Sequence, residues 1–483
     1  MDEIKAANRF SMRDWLTLAL GVALALLWRE VFSLANLTYG LPALGACVFT
    51  FAAWAAVLLV LGARAKWTRA NIFLAVVINL LALSCAFQWS EEIRFVSFLV
   101  IFCGSVMGFL SLAGTEYHGV TEPGAIKEAA LDFFRGVFVN WGRPFRAVYA
   151  LAPENKRALG GVLLGLVIAL PLLAVVLFGM GFADAIFDIY VFQAIQAINS
   201  FFADLGLGTL LLRTLSITFW SLVFFSSLYF LRHEPGRTEP LVRMNPLPVS
   251  ALLTVEALLT AVCALFAVFQ FKYLFGGAET AEMAGGWAEY ARSGFFSLVG
   301  VAAIVTATAL ACSRAGRESV LGRVLTLALV LLTFVMLASA AYRLYLYVLA
   351  YGLSVMRLMA AWAMLATGVC LVLVAVKSLR AGFRFWPWAA GIILAMWVCF
   401  AFLPAGKIVS HYNVDAYIDG RLDQIDATYL YTLGPDSLDA LRKLRESGLE
   451  WNQEGWPDGH LDTPLIRNLA DKQSIPWARI VLG

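Results

Sequence analysis

The sequence has few charged side chains: Asp, Glu, Lys and Arg make up 14% of its 483 residues, whereas 61% of the residues are hydrophobic. An average soluble domain has about 25% charged residues. Histidine is also scarce, with four in the whole chain. The sequence contains no Walker phosphate loop, no dinucleotide-binding glycine pattern, no HExxH motif and no CxxC pair. These absences argue against a soluble protein, and they leave no residue that we can assign to catalysis, to cofactor binding or to a metal.

The chain contains many long apolar runs. A hydrocarbon core about 30 Å thick requires about 20 apolar residues for each helix that crosses it. Eleven runs meet this requirement, at 14–33, 41–62, 70–88, 93–113, 157–180, 209–232, 248–273, 293–312, 320–342, 354–380 and 385–404. We therefore predict an all-α protein, with a polytopic transmembrane helix bundle of about 11 spans at 1–404 and a small C-terminal extramembrane helical segment at 405–483.

The Lys and Arg residues alternate between the gaps that separate these runs. Cytoplasmic loops of membrane proteins carry an excess of Lys and Arg, so the basic gaps mark the inner side. The N-terminus and every second gap after it hold 21 basic residues in total. Seven others lie in the outer gaps, at or near span ends from which a long side chain can reach the interface: Arg29, Arg94, Arg213, Lys272, Arg292, Arg343 and Arg357. We therefore expect a cytoplasmic N-terminus and an exported C-terminus.

Two segments outside the spans have a helical pattern. At 124–141, on the expected inner side, apolar residues recur at helical spacing, with Lys127, Glu128, Asp132 and Arg135 opposite them. This pattern predicts an amphipathic helix that lies either in the headgroup plane or on the inner ends of the bundle. At 183–204, on the expected outer side, six Asp, Asn and Gln residues interrupt an apolar run that has no basic residue. That segment predicts an interfacial, re-entrant or polar-faced helix.

The tail at 405–483 holds 12 acidic and 8 basic residues, and three short helices are predicted at 410–421, 424–433 and 437–447. His411, Asp415 and Asp419 would share one helical face. Oxygen ligands at that spacing can attract a divalent cation, although a plain acidic surface has the same pattern. Because the tail is acidic, we expect it to dock by charge onto Arg343 and Arg357 at the outer ends of the spans.

Ionisable residues within the apolar runs are candidates for function because a charge is expensive in a membrane. Glu256 lies about eight residues into the run at 248–273, which is roughly 12 Å at 1.5 Å per residue. It fits a carboxylate in a transport path, and it also fits a structural Glu that is paired or hydrogen-bonded. Four outer arginines are further candidates, either as one cationic cluster for a phosphate or lipid headgroup or as separate side chains that reach the interface: Arg213, Arg292, Arg343 and Arg357.

Three blocks of sequence resemble a known family. They are Arg292–Phe296 (RSGFF), Ser339–Leu358 (SAAYRLYLYVLAYGLSVMRL) and Tyr412–Gly434 (YNVDAYIDGRLDQIDATYLYTLG). In this order they resemble blocks of the bacterial multi-pass membrane proteins grouped as domain of unknown function 4153/4173. The resemblance covers the second half of the chain best. It implies a bacterial inner-membrane protein with a C-terminal helical segment, and it brings no activity or catalytic residue with it.

Three functional classes fit these observations. A non-enzymatic envelope scaffold or signalling component, which we favour, would explain the exported helical tail. A permease for a small molecule or lipid would explain the many spans, Glu256 and the outer arginines. A membrane enzyme acting on lipid or cell-wall precursors would need a nucleophile or base that the sequence does not identify. The expected partner is the lipid bilayer, with an anionic lipid or an envelope protein as further candidates; we expect no nucleic acid and no cofactor.

Overall fold

The computed structural model describes residues 10–32, 43–115, 124–151, 208–234, 248–274, 295–380 and 382–449, with isolated positions 122, 169, 173, 176, 193 and 236. Every regular element in these residues is a helix, which confirms the predicted all-α fold class. Apart from the isolated positions, the predicted span at 157–180 and the segment at 183–204 lie outside the described residues, as do 450–483.

The chain divides into two compact units. The first consists of residues 1–76, 102–120 and 124–241, and the second of residues 77–101, 121–123 and 242–483. Seven helices belong wholly or partly to the first unit: α1 (Met12–Val31), α2 (Ala43–Leu61), α3 (Arg69–Phe87), α4 (Glu91–Ala113), α5 (Ala125–Phe138), α6 (Gly142–Leu151) and α7 (Gly208–His233). The last part of α3 and the first part of α4 belong to the second unit.

Helix α7 is the centre of the first unit, and it packs on α1, α2 and α5. Its contact with α1 is close because Gly21 faces the backbone of Phe225. A Cβ atom at position 21 would lie 2.9 Å from the backbone nitrogen of Phe225. Small residues allow two helices to approach each other in this way where the surrounding lipid supplies no hydrophobic driving force.

The second unit contains the C-terminal half of the chain. Its helices after α4 are α8 (Val249–Leu274), α9 (Phe295–Glu318), α10 (Val320–Tyr351), α11 (Val355–Leu379), α12 (Phe385–Ala401), α13 (Ala405–Ile418), α14 (Ala427–Thr432) and α15 (Leu438–Glu446). Helices α8 to α11 pack on one another, and α12 packs on α11. Their apolar core includes the fully buried side chains of Leu329, Leu371 and Val374.

Seven of the described helices are long and apolar enough to cross a membrane: α2, α3, α4, α7, α8, α10 and α11. Helices α12 and α13 would make an eighth span if they are taken together, with a bend of 60° between them. The predicted span at 14–33 corresponds to α1, which carries charged residues near both ends, and the described apolar part of α9, Leu298–Ser313, is short. The helices support a membrane protein, and the total of about 11 spans stays a prediction.

The tail is helical over its described part, as predicted, with α13, α14 and α15 in place of the three expected segments. Helix α13 packs on α11 and α15. The tail has a small apolar core of its own, because Leu430, Leu438, Leu441 and Leu444 are buried. The bend before α13 is held by Gln88, whose side-chain amide donates to the carbonyl oxygens of Ala401 and Leu403 at 3.3 and 3.1 Å.

Candidate functional site

The loop between α10 and α11 turns the chain sharply at Gly352. This residue has φ +75°, a conformation that glycine adopts without the steric cost of a Cβ atom. The turn is followed by Ser354, whose hydroxyl oxygen accepts a hydrogen bond from the backbone N–H of Arg357 at 3.3 Å and caps the start of α11. The sequence predicts a boundary between two spans at 343–353, and in the structure α10 ends at Tyr351, directly before Gly352.

Two tail residues bind the backbone of this loop. The Oδ1 atom of Asn413 accepts from the N–H of Leu353 at 2.6 Å, and its Nδ2 atom donates to the carbonyl oxygen of Leu353 at 2.8 Å. The hydroxyl oxygen of Tyr429 accepts from the N–H of Val355 at 2.9 Å. These bonds satisfy polar backbone groups that the end of α10 and the start of α11 leave unpaired. The tail is therefore attached to the ends of two spans by specific hydrogen bonds.

Arg357 stabilises the same loop from the side of α11. Its guanidinium group donates to the carbonyl oxygens of Tyr351, at 3.0 Å, and of Gly352. It also lies over the ring of Tyr347, 4.0 Å from the ring centroid. A cation at the C-terminal end of a helix interacts favourably with the helix dipole. Arg357 thus supports the end of α10, and its position is fixed by these contacts.

A small, partly enclosed pocket of about 180 Å³ lies between this loop and the tail. Its lining combines two aromatic, two charged and two amide side chains with three apolar side chains and one serine from the loop and the tail. The lining residues are Tyr351, Leu353, Ser354, Arg357, Asn413, Leu422, Gln424, Ile425, Asp426 and Tyr429. A pocket of this volume has room for several water molecules or a small polar group.

The hydroxyl group of Tyr429 is available to a molecule in this pocket. Its oxygen accepts from Val355, which leaves its own hydrogen able to donate. Burial is the main reason that the pKa of Tyr429 is raised above its ordinary value of 10.0. The negative charges of Glu92 and Asp426 raise the pKa further, whereas the Val355 hydrogen bond and Arg357 lower it. Tyr429 is therefore a neutral donor at physiological pH.

The four predicted arginines have different surroundings. Arg357 lines the pocket, and Arg343 is half-buried on α10 without lining it. Arg213 is exposed near the start of α7 in the first unit. Arg292 lies outside the described residues. Convergence of these arginines into one cluster therefore stays a prediction.

The two predicted tail carboxylates bind cations of the tail itself. Asp415 accepts from the Nζ atom of Lys443 at 2.7 Å, which joins α13 to α15. Asp419 pairs with Arg421 at 3.0 Å. In the part of the chain that the structure describes, no three His, Cys, Asp or Glu side chains lie together as a metal site requires. The tail does contact the loop between α10 and α11, through the hydrogen bonds of Asn413 and Tyr429. Docking of the tail through its carboxylates stays a prediction.

Glu256 is fully buried on α8, within the second unit. Its Oε1 atom accepts from the hydroxyl group of Thr326 on α10 at 2.6 Å. The same hydroxyl group is 2.9 Å from the carbonyl oxygen of Gly322. The Oε2 atom of Glu256 has no hydrogen-bond partner among the described residues. Glu256 therefore joins α8 to α10 through one hydroxyl group.

The first unit has a charged cluster that the sequence analysis missed. The Oδ1 atom of Asp14 lies 3.7 Å from Nε of Arg232 and 3.4 Å from Nε2 of His233, both at the end of α7. The other oxygen of Asp14 accepts from the N–H and hydroxyl groups of Ser11, at 2.8 and 2.7 Å, in a capping box. Arg232 also donates to the carbonyl oxygen of Val60 at 3.3 Å. The cluster joins α1, α7 and the end of α2.

A signal for this cluster was present in the sequence. Asp14 is the acidic residue at the start of the first apolar run, and Arg232 and His233 end another run. Asp14 and the two bases are all expected at the inner ends of their spans, so an ion pair between them could have been predicted. Arg232 is one of the 21 basic residues assigned to the inner side, and no partner was predicted for it.

Residues 75–444 match the family described as Domain of unknown function (DUF4153). The chain belongs to this family. No curated protein and no solved structure matches the chain. The DUF4153 match contains the whole pocket, with Glu256 and Thr326, whereas Asp14 precedes it. The pocket and the Glu256 contact are thus features of the DUF4153 region of this membrane protein.

Proposed function

We propose that this DUF4153 membrane protein is a non-enzymatic scaffold or signalling component of the bacterial inner membrane. Its N-terminus would lie in the cytoplasm and its tail in the periplasm. The orientation rests on the 21 basic residues of the expected inner gaps against seven in the outer ones. The proposed partner is an envelope protein that binds the exposed surface of α13 to α15.

The attachment of the tail to the α10–α11 loop is the observation that supports this role. A segment that merely ends the chain has no need to bind the backbone at the start of a span. Asn413 and Tyr429 do so with three hydrogen bonds. A partner that pulls or reorients the tail would therefore act directly on the start of α11. Such coupling between an extramembrane platform and a span is what a signalling or scaffold component requires.

The charged surface of the tail is the region to probe for a partner. Lys407, Arg421 and Arg442 are exposed there, and their described ion pairs are with carboxylates of the tail itself. Exposed surface pairs of this kind contribute little to stability, so their residues can be replaced. We would introduce a photo-crosslinking amino acid at each of the three positions in the full chain in cells. The matched control is Leu331, an exposed apolar residue of the span α10.

A scaffold predicts discrete protein adducts at the tail positions and none at Leu331. The same adducts should weaken in an Asn413→Ala background, because the tail surface is then no longer held by α11. The absence of protein adducts from all three tail positions, in variants of normal abundance, would overturn the proposal. A reporter that is active only in the cytoplasm tests the orientation independently: fused to the C-terminus, it should be inactive.

A permease for a small molecule or lipid is the second candidate, and Glu256 is the observation that favours it. A buried carboxyl group in a span is expensive, and such groups often mark ion or proton pathways. The test is ion or proton flux in liposomes that contain the purified chain. Flux that is present with the wild-type chain and absent with Glu256→Gln would favour transport over the scaffold role. If the flux is the same with the wild-type chain, with Glu256→Gln and with empty liposomes, transport through Glu256 is excluded.

A further inference from the structure

Helix α5 exposes most of its large apolar residues and buries both of its acidic ones. Ile126, Ala130, Phe134 and Phe138, spaced four residues apart, form an exposed row that we name the Phe134 stripe. The exposed fractions of Ile126, Phe134 and Phe138 are 59%, 60% and 56%. By contrast, Glu128 and Asp132 are 2% and 0% exposed. An amphipathic helix on a water-soluble surface has the opposite arrangement.

The buried face of α5 is occupied by α7, within the first unit. Gly136 lies against the ring of Phe230, which a Cβ atom at position 136 would meet at 3.4 Å. The hydroxyl group of Ser226 on α7 donates to the carbonyl oxygen of Gly136 at 2.5 Å and accepts from the N–H of Asn140 at 3.1 Å. Specific hydrogen bonds and close packing therefore fix which face of α5 points away from the protein.

Water is an unfavourable medium for the face that points away. Leaving an Ile or Phe side chain in water instead of an apolar environment costs about 1.5–3 kcal/mol. The large residues of the Phe134 stripe would bear this cost together, and Leu131 beside them is also exposed. Acyl chains at the boundary of a bilayer remove the cost without any change in the packing on α7. The orientation of α5 is therefore explained by a lipid environment.

Exposed cations lie close in sequence to the stripe. Lys127 is exposed near the start of α5, and Arg146 is exposed on α6, which follows α5 after a short turn. Arg143, also exposed, donates to the hydroxyl group of Tyr229 at 2.9 Å and so holds the start of α6 to α7. Basic residues beside an apolar face bind anionic headgroups, at about fivefold in affinity per charge.

We propose that α5 and the start of α6 form a binding surface for an anionic lipid leaflet. The Phe134 stripe enters the acyl region, and Lys127 and Arg146 contact anionic headgroups. The surface belongs to the first unit and involves no tail residue, so it stands whether or not the tail is a scaffold. Anionic phospholipid is complementary to both parts of this surface: its acyl chains match the apolar stripe, and its headgroups match the cations.

Nitroxide labels in the full, cysteine-free chain in nanodiscs test the apolar half. Labels at positions 134 and 138 should collide often with oxygen and rarely with a water-soluble nickel chelate, because they lie among acyl chains. The matched control is position 439 on α15, where Asp439 has a similar exposed fraction of its side chain, 53%. That label should collide readily with the nickel chelate. If the labels at 134 and 138 collide with the nickel chelate as often as the label at 439, the proposal is overturned. Low collision rates with both oxygen and the nickel chelate would also overturn it, because they would mean that protein covers the stripe.

Competition between anionic and zwitterionic phospholipid for the purified chain tests the charged half. The preference for anionic lipid, measured by lipid exchange and native mass spectrometry, should fall by about 25-fold in the double variant Lys127→Gln/Arg146→Gln, at about fivefold per charge. The control Lys407→Gln/Arg442→Gln removes two exposed tail cations and should leave the preference near the wild-type value. An unchanged preference in the first double variant would overturn the assignment of anionic headgroups to this surface.

Discussion

The side-chain amide of Asn413 pairs with the backbone of Leu353 at both of its ends. Its oxygen accepts from the N–H group at 2.6 Å, and its nitrogen donates to the carbonyl group at 2.8 Å. The two residues are 60 positions apart in the chain. This pair fastens α13 to the loop before α11.

Asn413→Ala should release the tail from the loop. The substitution removes both hydrogen bonds and leaves two partly buried backbone groups unpaired, which costs about 2–6 kcal/mol at about 1–3 kcal/mol per group. Hydrogen exchange of residues 405–449 should accelerate, while exchange of α8 to α10 stays slow. Gln424→Ala is the matched control, because Gln424 lines the same pocket and is exposed. Equal exchange in the two variants would contradict the role assigned to Asn413.

Gly352→Ala should perturb the same contact from the other side. Alanine at φ +75° and ψ −176°, a combination that essentially only glycine adopts, costs about 1–3 kcal/mol. Its Cβ atom would in addition lie 2.5 Å from Oδ1 of Asn413, which must then move. Gly420→Ala is the control for a positive φ without a close neighbour, because Gly420 has φ +69° and nothing within 4 Å of an added Cβ atom. Thermal unfolding should show a larger loss for Gly352→Ala than for Gly420→Ala; losses of equal size would mean that the Asn413 contact is not affected.

Glu256→Gln should leave the protein at near wild-type abundance in the membrane. No cation pairs with Glu256 among the side chains that the structure describes, and its contact with Thr326 is a hydrogen bond that a carboxamide can also form. Glu256→Ala removes the hydrogen bond and leaves a cavity, so it should reduce abundance and stability, by about 2–4 kcal/mol if it behaves as other large-to-Ala changes do. A severe loss with Glu256→Gln would instead indicate an obligatory ion pair.

The helices were predicted well where their formation depends on one physical factor, the cost of unpaired backbone groups in lipid. An apolar run long enough to cross a bilayer is a helix there because unpaired backbone groups are too costly in lipid. The runs at 70–88 and 354–380 accordingly match α3 and α11 to within a residue at each end. Helix α10 was predicted to end at 342 and continues to Tyr351. Its last turns are rich in Tyr and interrupt the apolar run, although they remain helical up to Gly352.

The contacts of the site were less predictable. Glu256 and Arg357 stood out because a charge in or beside an apolar run is unusual. Asn413 and Tyr429 carry no such signal, and their partners lie 60 and 74 residues away. Asp14 does carry this signal, but its two bases lie on the distant helix α7, and the pairing was missed. Hydrogen bonds between distant residues depend on how the helices pack, and local periodicity contains little information about that packing.

Tyr429→Phe should change the alkaline stability of the chain. Because burial raises the pKa of Tyr429 in the folded state, the unfolded chain loses this proton first as the pH rises past about 10. The raised pKa therefore contributes stability that is present below pH 10 and is lost as the pH rises through the folded pKa. The wild-type chain should lose stability above pH 10 more steeply than Tyr429→Phe.

Near pH 7 the variant should be less stable by about 1–3 kcal/mol, because the N–H of Val355 loses its acceptor. Parallel pH curves for the two chains would contradict this account.

Asp14→Asn should destabilise the first unit without removing the cap of α1. The carboxamide oxygen of Asn can still accept from Ser11, so the change isolates the charge of Asp14. Arg232, whose side chain is 11% exposed, then lacks its anionic partner. Removing one member of a buried ion pair costs about 3–5 kcal/mol, and the 3.7 Å separation favours the lower end of that range.

Glu30→Gln is the matched control for Asp14→Asn. It breaks the exposed pair of Glu30 with Arg29 at the other end of α1 and should cost less than about 1 kcal/mol. Ser11→Ala removes the capping hydroxyl group and should cost about 1 kcal/mol, because the charge pair remains. Hydrogen exchange of α1 and α7 should therefore accelerate most in Asp14→Asn, less in Ser11→Ala and least in Glu30→Gln. If Asp14→Asn behaves like Glu30→Gln, the carboxylate is not what holds α1 to the end of α7, and the close packing of Gly21 on Phe225 must supply that stability instead.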